Sequence, residues 1–413
     1  MIKGFENFKM GLLGEKLGHS FSPLIHQKLA DYEYKLYEVA KENLAEFITA
    51  KNFDGLNVTI PYKKDVLAFL DEIDPKAEAI GAINTIKNEN GKLIGYNTDY
   101  DGFLYLLHKN GIDVCGKKAI VLGNGGAAAP VREVLKNEGA SEIVTISRKV
   151  ENNYENIAQH YDAEVIVNTT PVGMYPHNGE SLLDLKYFTK AEAVVDIIYN
   201  PLRTRLVLEA LELDITAVGG LDMLVGQAVR ACEIWTGESI PLEVWDKTAA
   251  WLYKKQQNVV LIGMPGSGKS TQAKLLAEKL CRKCVEIDDL FKPAFGRTPA
   301  EIIPIEGEAR FRELEHELVT EVGKKSGIVI STGGGVVTRA ENYFPLKQNG
   351  IIIALERDIT GLATEGRPIS QSKDLSELFK ERKPLYDKFS DFKIMLAGEK
   401  AASLKMLLDV LGE

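Results

Sequence analysis

The sequence predicts an α/β protein with more than one domain, and three observations support this class. The chain has 413 residues, 45% of them hydrophobic, and roughly 150 residues per domain suggests two or three domains. Short apolar runs end repeatedly in glycine-rich or polar turns, after which apolar residues recur at helical spacing. Two of these strand–turn–helix units carry glycine patterns typical of phosphate-binding loops. We therefore expect parallel sheets covered by helices.

Composition and charge exclude several classes of protein. The formal charge of −9 argues against a nucleic-acid binder, since phosphate contacts need clustered Lys and Arg. No apolar run reaches the roughly 18 residues that a membrane span needs, and the first residues lack the apolar region of a signal peptide. The four scattered cysteines are typical of a reducing compartment. We expect a cytoplasmic protein with neither a nucleic-acid nor a membrane partner.

The stretch 259–271 predicts a nucleoside triphosphate site. Four apolar residues form a strand, the loop reads G-x-x-x-x-G-K-S, and a helical pattern follows. An ordinary glycine turn is the alternative, but the flanking strand and helix favour a phosphate loop that binds a nucleoside triphosphate. The residues expected to contact the nucleotide are Gly263, Gly266, Ser267, Gly268, Lys269, Ser270 and Thr271. Lys269 is placed for the β/γ-phosphates and Ser270 for Mg²⁺.

Polar residues follow several strand-like runs in the first hundred residues. Ser22 precedes Pro23 and is a natural N-cap, which we favour over a ligand contact, whereas Ser20 has no such structural role. Further along, Thr59, Lys63, Asn84 and Asp99 lie at strand ends. A lysine and an aspartate among amide and hydroxyl groups would suit a polyhydroxylated carboxylate and general acid–base chemistry.

The stretch 117–149 predicts a dinucleotide-binding unit. The turn between its first strand and helix reads G-x-G-x-x-A and comprises Gly123, Asn124, Gly125, Gly126, Ala127 and Ala128. The next strand ends in Ser147, Arg148 and Lys149, where an acidic residue would bind the ribose of NAD. A guanidinium suits a 2′-phosphate, so we predict NADP(H). A solvated basic turn is the alternative.

Four motifs in this order, H-S-x-S-P, N-V-T-x-P-x-K, G-A-x-N-T and G-x-N-T-D-x-x-G, resemble shikimate dehydrogenase. The resemblance implies that Lys63 and Asp99 form the catalytic pair and that Met223 lies near the nicotinamide. It also implies a set of shikimate contacts: Ser20, Ser22, Thr59, Asn84, Tyr199 and Gln227. The chain departs from the usual pattern at Gln27, where the family has Asn, and mildly at Ser147.

The last third contains two further patterns. Glu286 and Asp288 end a short strand beside the expected phosphates. A buried strand ends in Gly333, Gly334 and Gly335, and three glycines at a strand end indicate that another group lies close to their backbone. The helical Arg–Glu spacing around Arg310 and Arg312 is, by itself, typical of a solvated ion-pair face.

Together with the phosphate loop, these patterns and R-x-P-L-Y at residues 382–386 resemble shikimate kinase. The resemblance implies that shikimate is held by Asp288, Arg312, Gly333, Gly334, Gly335 and Arg382. Asp288 would accept or orient the 3-hydroxyl proton, while Arg367 and Lys269 would stabilise the transferring phosphoryl group. Glu286 replaces the usual first acid of D-x-D and is expected, with Ser270, at the metal. The lid before Arg367 is short and lacks a second arginine.

We therefore expect a shikimate-binding catalytic domain at residues 1–104, completed by 222–253, and an NADP-binding Rossmann domain at 105–221. A linker at 254–258 and a P-loop kinase domain at 259–413 follow. The expected function is reduction of 3-dehydroshikimate to shikimate with NADPH, then phosphorylation to shikimate 3-phosphate with Mg-ATP, by a monomer or homodimer. Four alternatives remain: a binding-only kinase domain, a shikimate-sensing regulator, another P-loop kinase of small molecules, and a quinate- or NAD-using enzyme.

Overall fold

The computed structural model describes residues 1–18, 20–148, 150–357, 375–396 and 398–413. Its contacts divide the chain into two compact units. The first unit comprises Met1–Gly173, Ser181–Tyr199 and Leu206–Tyr253. The second comprises Met174–Glu180, Asn200–Arg205 and Lys254–Glu413. Within the described ranges, no helix is both long and apolar enough to cross a membrane.

The first unit begins with a mixed sheet of six strands in the order β2-β1-β3-β5-β6-β4. Its strands are β1 (Lys9–Gly14), β2 (Glu33–Glu38), β3 (Gly55–Val58), β4 (Glu72–Ile73), β5 (Thr85–Glu89) and β6 (Lys92–Tyr96). Its helices are α1 (Ser22–Leu29), α2 (Leu44–Thr49), α3 (Pro75–Ile80) and α4 (Asp99–Lys109). Pro61 follows β3 and cannot donate to a ladder, consistent with a strand that ends at Val58. Thr59 and Lys63 therefore lie at a strand end.

A second sheet in this unit has five parallel strands in the order β11-β10-β9-β7-β8. The strands are β7 (Lys118–Leu122), β8 (Glu142–Ile146), β9 (Val165–Asn168), β10 (Ala193–Asp196) and β11 (Thr216–Val218). The helices are α5 (Ala128–Asn137), α6 (Arg205–Glu212), α7 (Leu221–Thr236) and α8 (Leu242–Gln256). This is the predicted Rossmann-like sheet, and its strands read as continuous apolar runs because both faces are covered.

Helix α7 packs on the first sheet. Trp235 Nε1 donates to the carbonyl of Ile86 on β5 at 3.0 Å. The same helix crosses α4 very closely, because a Cβ at Gly226 would lie 3.0 Å from the Cα of Gly102. These contacts fix the helix that carries Met223 and Gln227 against the helix that begins at Asp99.

The second unit contains a five-stranded parallel sheet in the order β13-β14-β12-β15-β16. Its strands are β12 (Asn258–Ile262), β13 (Cys284–Glu286), β14 (Val329–Ser331), β15 (Gly350–Glu356) and β16 (Phe392–Met395). Its helices are α9 (Lys269–Lys279), α10 (Phe291–Phe295), α11 (Pro299–Gly323), α12 (Tyr343–Lys347), α13 (Leu375–Phe389) and α14 (Lys400–Leu411). The predicted linker 254–258 is almost entirely regular structure, because α8 continues to Gln256 and β12 begins at Asn258.

Two short segments from earlier in the chain also belong to the second unit. The guanidinium of Arg203 donates to the carbonyls of Lys347 and Gly350, at 2.7 and 2.5 Å. The backbone N–H of Leu202 donates to Oδ1 of Asn349, a residue that is 1% exposed. The segment that contains these two residues therefore supplies partners to buried polar groups at the start of β15.

Candidate active sites

A cavity of about 190 Å³ lies in the first unit, at the strand ends named by the sequence. It is lined by Leu12, Ser20, Ser22, Asn57, Val58, Thr59, Lys63, Asn84, Asp99, Ala127, Ile197, Tyr199, Gly220, Met223, Leu224 and Gln227. All eight residues predicted to bind or convert the substrate in this half are therefore in one cavity. Ala127 and Met223, predicted to lie at the cofactor, line the same space.

Lys63 and Asp99 form a close ion pair in this cavity. Lys63 Nζ lies 2.5 Å from Asp99 Oδ2, and the side chains are only 17% and 11% exposed. Asn84 Nδ2 donates to the other oxygen, Asp99 Oδ1, at 2.9 Å. The carboxylate is therefore held at both oxygens, and the ammonium is fixed where it can give a proton to a neighbouring oxygen atom.

Both serines line the cavity, but the one that bonds the backbone is Ser20 and not Ser22. Ser22 is the first residue of α1, which has Phe21 at its N-cap and no side-chain cap hydrogen bond. The expectation that Ser22 caps this helix is therefore wrong; its side chain is buried and lines the cavity. Ser20, to which no structural role was given, accepts the backbone N–H of Ser22 at 3.2 Å. The prediction failed because the helix begins one residue earlier than Pro23 suggested.

The predicted dinucleotide loop joins β7 to α5. Gly123 has φ +101°, and a Cβ there would lie 2.9 Å from the side chains of Thr169 and Thr170. Cβ atoms at Gly125 or Gly126 would meet nothing within 4 Å, so this side of the loop is open to a ligand. Asn124 Oδ1 accepts from Arg132 at 3.2 Å. Ala128 begins α5, whose N-terminus adds positive potential for a pyrophosphate.

The predicted 2′-phosphate contacts follow β8. Ser147 is half-buried and its N–H donates to the carbonyl of Asn152 at 3.1 Å. Arg148 is exposed, so its guanidinium is available to an anion. Lys149 lies outside the described residues.

A larger cavity, of about 680 Å³, lies in the second unit. Its lining includes Gly266, Gly268, Lys269, Ser270, Thr271, Asp288, Arg312, Glu315, Gly333, Gly334, Gly335, Arg357 and Arg382. Five residues of the predicted phosphate loop and every described residue predicted to hold shikimate in this half thus share one cavity. Arg367 lies outside the described residues.

Arg312 is half-buried and lines the cavity, so the interpretation of a solvated face from helical spacing alone is wrong here. Its guanidinium pairs with Glu315, whose side chain is 0% exposed, at 2.7 Å. Burial raises the pKa of Glu315, and the charge of Arg312 opposes that shift. Arg310, two residues earlier, does have the expected exposed pairs with Glu306 and Glu313. Gly307, with φ +84°, kinks the helix one turn before these arginines.

The three glycines are required by close packing. A Cβ at Gly335 would lie 1.9 Å from Arg312 Nη2, and one at Gly333 would lie 2.7 Å from Glu315 Oε1. Arg382, 4% exposed on α13, donates to the carbonyl of Gly334 at 3.1 Å. The glycines therefore let two arginines converge on one point of the cavity, an arrangement suited to a carboxylate.

Asp288 lines the cavity and is exposed to it. Desolvation by the protein around the cavity raises the pKa of its carboxyl above that of an ordinary aspartate, although the charges of Lys269 and Arg312 oppose the shift. Lys269 itself is 7% exposed, and its ammonium donates to the carbonyls of Gly263 and Met264 at 2.9 Å each. The carboxyl is thus placed to accept a hydroxyl proton beside the phosphate loop.

Ser270 and Glu286, the two residues predicted at a metal, lie together. A hydrogen bond from Ser270 and the Lys274 ammonium, 2.6 Å from Glu286 Oε1, together lower the pKa of the Glu286 carboxyl, although burial opposes them. Hydroxyl and carboxylate oxygens suit Mg²⁺. In the described part of the chain, no cluster of three His, Cys, Asp or Glu could hold a metal alone. These two residues would therefore hold Mg²⁺ together with phosphate oxygens, and Lys274 competes for the carboxylate.

Two predicted nucleotide contacts do not line the cavity, and several lining residues were missed. A Cβ at Gly263 would lie 2.4 Å from the carbonyl of Leu355, and Ser267 is fully buried, so both residues shape the loop on the side away from the cavity.

Two lining residues were given no role from sequence: Asn57 in the first cavity and Arg357 in the second. Arg357 directly follows β15, and a polar residue after a buried parallel strand is the signal that could have identified it.

Three family models match the chain. "Shikimate dehydrogenase substrate binding domain" matches residues 12–86, and "Shikimate 5'-dehydrogenase C-terminal domain" matches 220–247. "Shikimate kinase" matches residues 265–411. The matches fall on the two units that contain the two cavities.

Similar proteins agree with the first two models. The NADP(+) shikimate dehydrogenase of Clostridium beijerinckii is 43% identical over 245 residues, 54% of this chain and 90% of that protein. A chorismate mutase/shikimate 5-dehydrogenase fusion protein from Clostridium acetobutylicum has a similar structure, with TM-score 0.58, 39% identity, and coverage of 60% of this chain and 98% of that one. Shikimate 5-dehydrogenase from Thermus thermophilus, in complex with NADP(H) and shikimate, has TM-score 0.54 and 30% identity, covering 61% and 99%. The chain belongs to the shikimate dehydrogenase family and carries a shikimate kinase domain at its C-terminal end.

Proposed function

We propose that the chain catalyses two consecutive reactions: reduction of 3-dehydroshikimate to shikimate with NADPH, and phosphorylation of shikimate to shikimate 3-phosphate with ATP. One observation carries the proposal. Each unit has a polar cavity that contains the acid–base and anion-binding groups its reaction needs. The first reaction creates the hydroxyl that the second phosphorylates, so one carboxylated ring serves both cavities.

In the first cavity, Lys63 and Asp99 are the proposed catalytic residues. NADPH, when bound along the glycine loop, supplies a hydride to C3 of the ketone. The oxygen then gains negative charge, and Lys63 Nζ gives it a proton. Asp99, held by Asn84, keeps that ammonium in place and stabilises its charge. The neighbouring serine, threonine, tyrosine and glutamine side chains would orient the ring hydroxyls and carboxylate.

In the second cavity, Asp288 is the proposed acceptor of the 3-hydroxyl proton. ATP supplies the γ-phosphoryl group. Arg312 and Arg382 would bind the shikimate carboxylate, which fixes the ring so that its 3-hydroxyl faces Asp288. Lys269 would stabilise charge on the phosphoryl oxygens, and we propose that Ser270 and Glu286 hold Mg²⁺.

The kinase assignment is tested by ADP release from Mg-ATP with and without shikimate, using the full-length chain. We expect shikimate-dependent release that disappears in Asp288→Asn, because an amide cannot accept the hydroxyl proton. Lys292→Ala, an exposed lysine on α10 outside the cavity lining, is the control. Release that is unaffected by shikimate would refute the assignment.

The cofactor preference is tested by the Michaelis constants for NADPH and NADH in Arg148→Ala. Loss of the guanidinium should raise the constant for NADPH and leave that for NADH nearly unchanged, because only NADPH carries the 2′-phosphate. An unchanged constant for NADPH would show that Arg148 does not bind it.

One observation favours a second candidate, an active dehydrogenase joined to a kinase domain that only binds its ligands. Lys274 occupies the Glu286 carboxylate, which would weaken Mg²⁺ binding. This candidate predicts NADP reduction by shikimate without ADP release above background. We also propose a cytoplasmic location and a monomeric or homodimeric state, which fractionation and sedimentation would test.

A further inference from the structure

A continuous series of hydrogen-bonded side chains runs from behind the first cavity to its catalytic pair. We call it the polar ladder, and its members in order are Tyr32, His26, Asn57, Thr85, Asn84 and Asp99. The contacts between neighbours are 2.6, 3.1, 3.1, 3.2 and 2.9 Å. The last member holds Lys63 at 2.5 Å. The ladder thus connects a buried helix face to the reacting ammonium.

The whole ladder is shielded from solvent. Each of its six members is 7% exposed or less. Strands β3 and β5 pair antiparallel in a register that sets Asn57 directly opposite Thr85, so the sheet itself aligns two neighbours. Buried polar groups without partners are costly, so a fully bonded series of this kind holds one geometry.

His26 gives the ladder its direction. Burial lowers the pKa of His26 to about 3, so the ring is neutral at working pH and carries one N–H. Asn57 Oδ1 can only accept, so His26 Nε2 must donate to it and Nδ1 must accept from the Tyr32 hydroxyl. Tyr34 stacks on the imidazole, with ring centroids 4.1 Å apart, and its hydroxyl also donates to Asn57 Oδ1 at 2.8 Å.

The later hydrogen bonds continue this arrangement, and Thr98 supports them through contacts with both Thr85 and Asn84. With Oδ1 of Asn57 occupied by two donors, its Nδ2 points to Thr85 Oγ1. The Thr85 hydroxyl then donates to Asn84 Oδ1, which also accepts the Thr98 backbone N–H at 2.7 Å. Asn84 Nδ2 is thereby turned to Asp99 Oδ1, which leaves Oδ2 for Lys63.

We propose that Asn57 is a positioning residue of the dehydrogenase reaction, with His26 fixing the orientation of its amide. Asn57 acts through Thr85 and Asn84 on the carboxylate that places Lys63. The inference rests on the proposed dehydrogenase function, and it assigns a role to two residues outside the predicted catalytic and substrate-binding set.

The test compares the steady-state kinetics of Asn57→Leu and Asn57→Asp in the full-length chain. Aspartate keeps the size and the accepting oxygen but cannot donate to Thr85. Both variants should lower kcat by roughly tenfold to a hundredfold, since small misplacements of catalytic groups have effects of this size. The KM values for NADPH and 3-dehydroshikimate should change by less than about threefold, because the polar atoms of Asn57 are bonded to His26, Tyr34 and Thr85 although the residue lines the cavity. The pH profile of kcat should shift, because Asp99 no longer holds Lys63 in one geometry.

Two further variants separate positioning from folding. His26→Gln keeps a donor that can reach Asn57, so it should retain most of kcat. His26→Leu has no such donor, so its kcat should fall as in the Asn57 variants. Asn88→Leu is the matched control: this asparagine lies on β5 but donates to the carbonyls of Lys51 and Phe53, outside the ladder. It should leave kcat unchanged in folded protein.

Two results would overturn the positioning role of Asn57, and a third would overturn the function on which it rests. One is a kcat per NADPH-binding site that stays at the unsubstituted value in both Asn57 variants, as for a purely structural residue. Another is a raised KM for 3-dehydroshikimate at unchanged kcat, which would make Asn57 a substrate contact. If the unsubstituted chain does not reduce 3-dehydroshikimate at all, the proposed function fails first, which distinguishes the two failures.

Discussion

At the scale of single residues, proton transfer in the first cavity depends on Lys63. Lys63→Ala removes the only ammonium among the described residues that line this cavity and should lower kcat by about 10²–10⁴-fold, as expected for loss of a general acid. The neighbouring Lys64 is exposed and outside the cavity, so Lys64→Ala is a close control and should keep full activity. The measurement is NADPH oxidation with saturating 3-dehydroshikimate. Equal rates in the two variants would contradict this role.

The ionisation of Asp288 gives a pH prediction for the kinase reaction. Desolvation at the cavity raises the pKa of this carboxyl, so it takes up a proton at higher pH than an ordinary aspartate, whose pKa is about 3.9. The protonated form cannot accept the hydroxyl proton, so kcat/KM for shikimate should fall, as pH is lowered, at a correspondingly higher pH. Arg312 opposes the shift; its removal should therefore move the acid limb higher still. An acid limb at or below the ordinary value would contradict the burial argument.

Most candidate residues could be predicted, but their physical roles could not always be. Ser20 and Ser22 are two residues apart and both line the cavity, and only the actual first turn of α1 determines which serine also bonds the backbone. Asn57 was missed because its partners, His26 and Thr85, lie 31 and 28 residues away. Contacts at such separations leave no periodic signal in a sequence.

At the scale of elements, helix α11 places two similar arginines in opposite environments. Arg312 faces the cavity and pairs with buried Glu315, whereas Arg310 is paired near the solvent. Arg312→Lys should raise the KM for shikimate by roughly tenfold or more, because lysine loses the bidentate geometry. Arg310→Lys should leave it within about twofold, as for exposed ion pairs in general. A similar KM in both variants would contradict the assigned carboxylate contact.

The strands and helices themselves were the most predictable features. The strand and helix predicted on either side of the phosphate loop are β12, which ends at Ile262, and α9, which begins at Lys269. Periodicity succeeds there because each element buries one face or both. It fails for Arg312, since charge spacing does not reveal which side of a helix faces a sheet.

At the scale of the whole molecule, the second unit includes Asn200–Arg205. Arg203→Ala removes charged hydrogen bonds to two carbonyls and should destabilise this unit by about 2–3 kcal/mol. The measurement is the urea midpoint for loss of shikimate-dependent ADP release, with Arg310→Ala as the control. An unchanged midpoint would show that the segment does not support the unit.

This composition of the second unit could not be predicted from motifs. The predicted boundaries place residues 105–221 in one domain, whereas Met174–Glu180 and Asn200–Arg205 belong to the second unit. Arg203 and Gly350 are 147 residues apart. Their contact depends on packing that neither domain's motifs describe.

The central claim, that one chain reduces a ketone and then phosphorylates the resulting hydroxyl, is tested most directly by supplying 3-dehydroshikimate as the only carbon substrate. With Mg-ATP present, ADP release should require NADPH, follow NADPH oxidation and approach one ADP per NADPH. Added shikimate should restore release without NADPH. NADPH oxidation that is never followed by ADP release, or ADP release that does not depend on NADPH, would contradict the account.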